Sequence, residues 1–173
     1  MKDAGVKHEV GTGETGAGIN AKPDVAIVEP ERVVTVLAIS PYRDDHTFLG
    51  NIFSHSNWKL LGAQSWQEGL ALVRSRPIPV IIAESRLPDA NWRDVLQGLA
   101  RTPDRPLLIV SCREADEYLW AEVLNLGGYD VLMKPFDATE VFRVVSLAWL
   151  NWKHSREKAR AEASSGFARA AGF

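Results

Sequence analysis

The stretch that most constrains the fold is Val80-Ile-Ile-Ala-Glu84, an apolar run that lies between Pro79 and Pro88 and ends on a carboxylate. A short apolar run bounded by helix-breaking residues is typical of a strand buried on both faces, as strands are in parallel sheets. Ligands of open parallel sheets collect beyond the carboxyl ends of the strands. We therefore expect Glu84 to lie at the functional edge of a central strand.

Four further apolar runs share this pattern, and helical patterns separate all five of them. The runs cover residues 33–39, 58–62, 106–111 and 129–133. Such alternation predicts an α/β fold, a doubly wound (βα)5 unit whose parallel five-stranded sheet has helices on both faces. The flavodoxin-like strand order 2-1-3-4-5 fits five units. In that order one crevice collects the strand ends marked by Ser40, Glu84, Ser111 and Lys134.

Capping residues mark the predicted helix boundaries. Ser40 followed by Pro41 has the pattern of an N-cap and a first-turn proline, and Ser65 and Asp137 each precede a glutamate by three residues. We expect the fourth helix to begin near Glu114.

The last helix has an apolar face formed by Val141, Val144, Val145, Ala148, Trp149 and Trp152.

The chain divides into three segments by composition. Residues 1–31 are glycine-rich and aperiodic, which predicts a flexible leader, and residues 32–152 hold the five βα units. Residues 153–173 contain good helix formers but few core residues, which predicts a helical extension that becomes a loose tail from Ser164. The leader lacks the preceding strand and the Gly-Lys-Ser/Thr ending that a phosphate-binding loop needs.

Charge and cysteine usage limit the classes of partner. The net charge is −2 and the pI is about 6.1, so the protein has no basic surplus to attract nucleic acid or an anionic membrane surface. The single cysteine, Cys112, excludes an internal disulfide and suits a reducing compartment. The apolar stretches are too short to cross a bilayer. We expect a cytoplasmic protein with no nucleic acid or membrane partner.

Two motifs connect this pattern with a known family. Leu87-Pro88-Asp89 follows the third strand, and residues 126–136 read Leu-Gly-Gly-Tyr-Asp-Val-Leu-Met-Lys-Pro-Phe. In their order and spacing, residues 32–152 resemble response regulator receiver domains of the CheY-like superfamily. The second motif is similar to the family's Gly-Ala-x-x-Tyr-Leu-x-Lys-Pro-Phe.

The resemblance implies a phosphoryl-transfer site. In the family, an aspartate at the end of the third strand accepts a phosphoryl group, and Mg²⁺ is held by that aspartate and by an acidic pair after the first strand. Glu84 stands at the phosphoacceptor position. Ser111 and Lys134 match the family's hydroxyl and lysine, and the resemblance implies a cis bond between Lys134 and Pro135.

Four signature positions depart from the family pattern. Ser40-Pro41 occupies the position of the acidic pair, and Glu84 replaces the phosphoaccepting aspartate with one extra methylene group. Val131 replaces the switch aromatic residue, and Trp92 replaces a small glycine. Mg²⁺ requires oxygen ligands, usually with carboxylates among them. We therefore expect the magnesium site to be lost and no cofactor to be needed.

Asp44 and Asp45 follow the degenerate pair by about one helical turn. Acids are favoured near a helix N-terminus, and this is our interpretation of both residues, with rescue of the metal site as the open alternative. On this interpretation the crevice holds one carboxylate, Glu84, facing one ammonium group, that of Lys134.

These features predict an atypical, stand-alone receiver domain of two-component or phosphorelay signalling that is not an enzyme and works independently of phosphorylation. Glu84 either imitates a phosphorylated aspartate or is a neutral replacement in a scaffold. The expected partners are a histidine kinase, an output protein or a second copy bound through the last helix. The alternatives are a phospho-accepting receiver that uses Glu84 with a makeshift Mg²⁺ site, and a small flavodoxin-like enzyme or carrier.

Overall fold

The computed structural model describes residues 33–170, with side chains described as far as Ser164. Five strands and five helices alternate along this range. They are β1 Val34–Ile39, α1 Arg43–Phe53, β2 Trp58–Ala63, α2 Trp66–Ser75, β3 Val80–Glu84, α3 Trp92–Leu99, β4 Leu107–Cys112, α4 Glu117–Asn125, β5 Asp130–Met133 and α5 Ala138–Ala170.

The sheet confirms the predicted fold class and topology. All four strand pairings are parallel, and the order is β2-β1-β3-β4-β5. The central strand β3 is buried along its whole length, as its uninterrupted apolar sequence predicts. The predicted leader, residues 1–31, lies outside the described residues and stays a prediction.

Two apolar layers cover the two faces of the sheet. On one face Leu37, Ile81 and Val110 pack with residues of α2, α3 and α4. On the other face Ile82 and Ile109 pack with α1 and α5. The alternation of side chains along each strand supplies both layers, so every helix finds a buried surface against which to pack.

The capping predictions are confirmed at two helices and wrong at two. Ser65 Oγ accepts the backbone amide of Glu68 at 3.3 Å, and Asp137 Oδ1 accepts that of Glu140 at 2.8 Å. The prediction for α1 is wrong, because Tyr42 is the N-cap residue and Ser40-Pro41 precedes the helix. The fourth helix begins at Glu117 instead of near Glu114, because Asp116 caps it by accepting the backbone amide of Leu119 at 2.7 Å.

The last helix differs most from the sequence prediction. Its predicted core residues Val141, Val144, Val145 and Ala148 are buried. The helix continues to Ala170, beyond Ser164, where the sequence analysis places the start of the tail; residues 153–170 contain many strong helix formers and no proline. Residues 171–173 lie outside the described range.

Candidate functional site at the carboxyl edge of the sheet

The carboxyl ends of four strands bring four predicted residues to one crevice. Ser40 follows β1, Glu84 ends β3, Ser111 lies directly opposite Glu84 on β4, and Lys134 follows β5. All four residues are at most 7% exposed. Parallel strands end at the same edge of a sheet, and for this reason positions far apart in the sequence meet here.

Lys134 is the centre of this crevice. Its Nζ donates to Oε2 of Glu84 and to Oδ2 of Asp45, forming two ion pairs. The Lys134 side chain is 4% exposed and the two carboxylate side chains are each 9% exposed, so water screens these charges weakly. Removing Lys134 from this group would leave two buried carboxylates without a cation, so the arrangement depends on the ammonium group.

Asp45 is the site residue that the sequence interpretation missed. It lies in the first turn of α1, as predicted, but it is buried and also accepts a hydrogen bond from Ser40 Oγ. The expected arrangement of one carboxylate facing one ammonium group is therefore wrong, since two carboxylates share Lys134. The available signal was helical spacing, because Asp45 precedes the core residue Leu49 by four positions and so lies on the inward face.

Neither residue at the degenerate acidic pair supplies a carboxylate. The backbone amide of Ser40 donates to the carbonyl oxygen of Ala63 at 3.0 Å, and Ser40 Oγ accepts the backbone amide of Tyr42 at 3.2 Å. These bonds fix the turn between β1 and α1. The turn itself therefore contributes a single hydroxyl group, which is already bonded to Asp45.

The residues present do not fit the magnesium site that the fold implies. Both carboxylates of the crevice are paired with the Lys134 ammonium group, which supplies the positive charge there. Within residues 33–164 no group of three histidine, cysteine, aspartate or glutamate side chains is placed to hold a metal ion. A hard divalent cation would have to displace Lys134 to gain even two carboxylate ligands.

Both carboxylate oxygens of Glu84 are engaged. Oε2 accepts from Lys134, while Oε1 accepts the backbone amide of Ser85 at 3.2 Å and its hydroxyl group at 3.1 Å. The side chain is thus held in one orientation on the floor of the crevice.

Aromatic rings surround the ammonium group and were also missed in the sequence. Lys134 Nζ lies 5.1 Å from the centroid of the Tyr42 ring and 5.6 Å from that of Phe136. The Lys134–Pro135 bond is cis, as the resemblance implies. Val131, at the switch position, is 8% exposed in β5.

The loop after β3 has a structural function that the motif did not reveal. Asp89 accepts the backbone amides of Trp66 and Gln67 at 2.8 and 2.9 Å and so binds the N-terminus of α2. Burial by itself raises the pKa of the Asp89 carboxyl, but the hydrogen bonds from these two amides hold that pKa below its ordinary value. Trp92, at the position of the family's small glycine, is 3% exposed and packs in the core.

The sequence is similar to those of response regulators. No protein-family model matches the chain. It is 31% identical over 113 residues to the probable transcriptional regulatory protein TcrX of Mycobacterium tuberculosis, a match that covers 62% of this chain and 46% of TcrX. It is 34% identical over 102 residues to the photosynthetic apparatus regulatory protein RegA of Cereibacter sphaeroides, covering 57% of this chain and 55% of RegA. The chain thus spans about half the length of these relatives.

Solved receiver domains share the fold. The signal receiver domain of an HD domain-containing protein from Pseudomonas fluorescens superposes with a TM-score of 0.68 at 22% identity, covering 77% of this chain and 98% of that one. The receiver domain of Francisella response regulator 1452 gives a TM-score of 0.63 at 20% identity, covering 68% and 98%. Fold and sequence similarity together confirm the expected resemblance: the chain has the fold of solved receiver domains, and its sequence is similar to those of response regulators.

None of the helices among residues 33–170 has both the length and the apolar character that crossing a membrane would require.

Proposed function

We propose that this protein is an atypical receiver module of two-component or phosphorelay signalling whose conformation is set without phosphorylation. It acts by binding another protein, such as a histidine kinase or an output protein, and not as an enzyme. In this proposal it needs no cofactor. The similarity to response regulators supports the signalling class, and the buried cluster at the crevice supports independence from phosphorylation.

The single observation that carries the proposal is the Asp45–Lys134–Glu84 cluster. A phosphoacceptor needs a carboxylate oxygen free to attack, and a bound Mg²⁺ to neutralise the phosphoryl oxygens. Here both Glu84 oxygens are engaged, and Lys134 is paired with both carboxylates that a metal ion would need. The longer glutamate side chain also displaces its oxygens from where an aspartate would hold them, by roughly one C–C bond.

The cluster supports two versions of this proposal. In one, Glu84 reaches Lys134 as a phosphoryl group would, and holds the domain in its signalling conformation. In the other, the ion pairs only preserve the fold around an inactive crevice. Replacing Glu84 by glutamine separates them, because a mimic loses partner binding while a scaffold keeps it.

A phospho-accepting receiver is the second candidate, and the position of Asp45 beside Glu84 in the crevice favours it. Asp45 and Glu84 both contact Lys134 Nζ, so two carboxylates lie close enough together to begin a makeshift Mg²⁺ site. This candidate requires Lys134 to leave both carboxylates when the metal ion binds.

Incubation with acetyl phosphate and Mg²⁺, followed by intact mass measurement, tests the proposal. We expect no added phosphoryl mass on the wild-type chain. A Ser40→Asp/Pro41→Asp/Glu84→Asp variant, which restores the family's acidic residues, serves as the positive control and should gain Mg²⁺-dependent phosphorylation. A stable adduct on Glu84 in the wild-type protein would contradict the proposal and support the second candidate.

A further inference from the structure

A groove runs between α2 and α3, on the face of the sheet that α1 and α5 do not cover. It has a volume of about 310 Å³. The α2 wall presents Trp66, Leu70 and Arg74, which are spaced four residues apart and so lie along one face of that helix. Arg101, just after α3, ends the opposite wall. Each wall of the groove therefore carries one arginine.

The groove is positively charged. Arg74 and Arg101 are exposed, and among residues 33–164 neither guanidinium group has an ion-pair partner. One carboxylate, that of Asp94, also lines the groove, but its Oδ2 accepts the backbone amide of Asn91 at 2.9 Å in the cap of α3. Two unpaired guanidinium groups against one engaged carboxylate give a local charge of +1, which selects for an acidic occupant.

The apolar part of the groove is built around the Trp66 ring. A Cβ added at Gly98 would lie 2.4 Å from Trp66 Cζ2, so the indole ring packs directly on the backbone of α3. Glycine is unfavourable within a helix, and at this position it provides the space that the ring occupies. Trp66 and Leu70 are both half-buried, and each still presents apolar surface to the groove.

The loop after β3 holds the Trp66 wall in place. Asp89, in this loop, accepts the backbone amides of Trp66 and Gln67. The loop is itself closed by a hydrogen bond from the Trp92 amide to the carbonyl oxygen of Ser85 at 3.1 Å. A groove fixed by such bonds is formed before a partner arrives, which lowers the entropic cost of binding.

We propose that this groove binds an acidic segment of a partner protein. An apolar side chain of the segment covers Trp66 and Leu70, and its carboxylates pair with Arg74 and Arg101. The volume suits a short segment, since pockets for small ligands begin at about 300 Å³. Charge complementarity selects this occupant, because the groove of a second copy carries the same positive charge and the net charge of −2 repels nucleic acid.

This inference gives the chemistry of a protein partner for the module proposed above, and it rests on that proposal for its signalling meaning. The two can fail separately. A groove that binds no acidic segment overturns this inference and leaves the phosphorylation result unchanged. A phosphorylated Glu84 overturns the proposed function and leaves binding at the groove unchanged.

An NMR titration of the ¹⁵N-labelled full chain with a defined peptide tests the inference. The probe is acetyl-Asp-Glu-Leu-Leu-Glu-Asp-amide, and the control peptide carries asparagine and glutamine in place of the acidic residues. We expect saturable shifts of the Trp66 indole and Gly98 amide resonances. Binding should weaken as salt increases, and the control peptide should bind about tenfold more weakly or less.

Charge reversal in the groove tests the role of the two arginines. Arg74→Glu/Arg101→Glu should weaken binding of the acidic peptide about tenfold or more, because both attractive contacts become repulsive. Arg43→Glu/Arg160→Glu is the matched control, since it changes the net charge equally at exposed positions on α1 and α5, and it should bind the peptide as the wild type does.

Gly98→Ala tests the apolar contact while it keeps both arginines. The new methyl group displaces the Trp66 ring, so binding should weaken several-fold while resonances far from the groove keep their positions. Equal binding of the two peptides, shifts confined to other surfaces, or equal binding by the wild type and the charge-reversed variant would each overturn the proposal. Groove shifts produced by a short DNA strand and not by the peptide, or by raising the protein concentration alone, would assign another occupant and also overturn it.

Discussion

At the scale of single residues, the crevice is organised by one ammonium group shared between two buried carboxylates. Desolvation opposes burial of all three charges, and the attraction of the Lys134 ammonium group to the two carboxylates offsets that cost. Ser40 Oγ and the Ser85 amide and hydroxyl groups add hydrogen bonds to Asp45 and Glu84. The cluster is thus sensitive to the loss of its only cation.

Replacing Lys134 by methionine should strongly destabilise the protein. The variant leaves Asp45 and Glu84 without their cation in a buried site, and we expect the free energy of unfolding to fall by about 3–5 kcal/mol. Urea denaturation at pH 7 measures this change. Lys59→Met, at an exposed position on β2, is the matched control and should change the value by about 0.5 kcal/mol or less. Equal, small losses in both variants would show that the ion pairs make no net contribution.

Asp89 should make the stability depend on pH in the acidic range. Because its pKa is lower in the folded protein than its ordinary value of 3.8, the ionised form stabilises the fold. This contribution is fully present above the ordinary value and is lost as the pH falls through the lowered folded value. Asp89→Ala should therefore cost about 1 kcal/mol at pH 7, typical of a lost helix cap.

Urea denaturation at pH 7 and at pH 3 measures the effect of Asp89. The difference between the wild type and Asp89→Ala should be smaller at pH 3, because the wild-type carboxylate loses its advantage on protonation. A difference that is the same at both pH values would contradict this role for Asp89.

At the scale of elements, the contacts of Trp152 and Arg156 with Asp104, which lies between α3 and β4, fix the direction of α5. Arg156 forms an ion pair with the Asp104 carboxylate, and its guanidinium group lies 4.8 Å from the centroid of the Trp152 ring. Trp152 in turn donates to the Asp104 carbonyl oxygen. The helix is therefore still anchored to the domain one turn beyond Trp152.

Asp104→Ala should loosen the extension without unfolding the domain. We expect faster amide hydrogen exchange over residues 153–164, unchanged protection in β3 and β4, and a loss of overall stability of about 1 kcal/mol or less, because the ion pair is partly exposed. Lys153→Ala is the matched control, since it removes an exposed pair with Glu157 at 3.9 Å from the same helix. Unchanged exchange in Asp104→Ala would show that the helix persists without the ion pair between Arg156 and Asp104.

At the scale of the whole molecule, the described chain consists of a receiver-type fold and a last helix, α5, that extends beyond it. Every strand of the fold is paired within the sheet, while side chains 157–164 are exposed to solvent. Exposed residues contribute little to stability, so the extension can be removed with little effect on the fold.

A chain that ends at Arg156 should fold with almost unchanged stability. It keeps the contacts of Trp152 and Arg156 with Asp104, and side chains 157–164, which it loses, are exposed. Urea denaturation of the full and the shortened chain should give midpoints that agree closely. A clearly lower midpoint for the shortened chain would show that the extension stabilises the fold.

The sequence by itself determined the elements and their topology. Apolar runs such as Val80–Ala83 define strands through local composition, and five βα units joined by short connections allow few sheet orders. Because a strand end is marked where its apolar run stops, the sequence also placed Glu84 and Lys134 at the same edge.

Only the tertiary structure decided what those residues contact. The rotation of α1 about its axis is set by the packing of Leu49 and Phe53 against the sheet, and this rotation turns Asp45 into the crevice. The path of α5 past Trp152 likewise depends on Asp104, which lies 48 residues earlier in the chain. Local patterns specify which residues form an element, but the partner of a buried charge depends on how separate elements pack, and no local pattern records that packing.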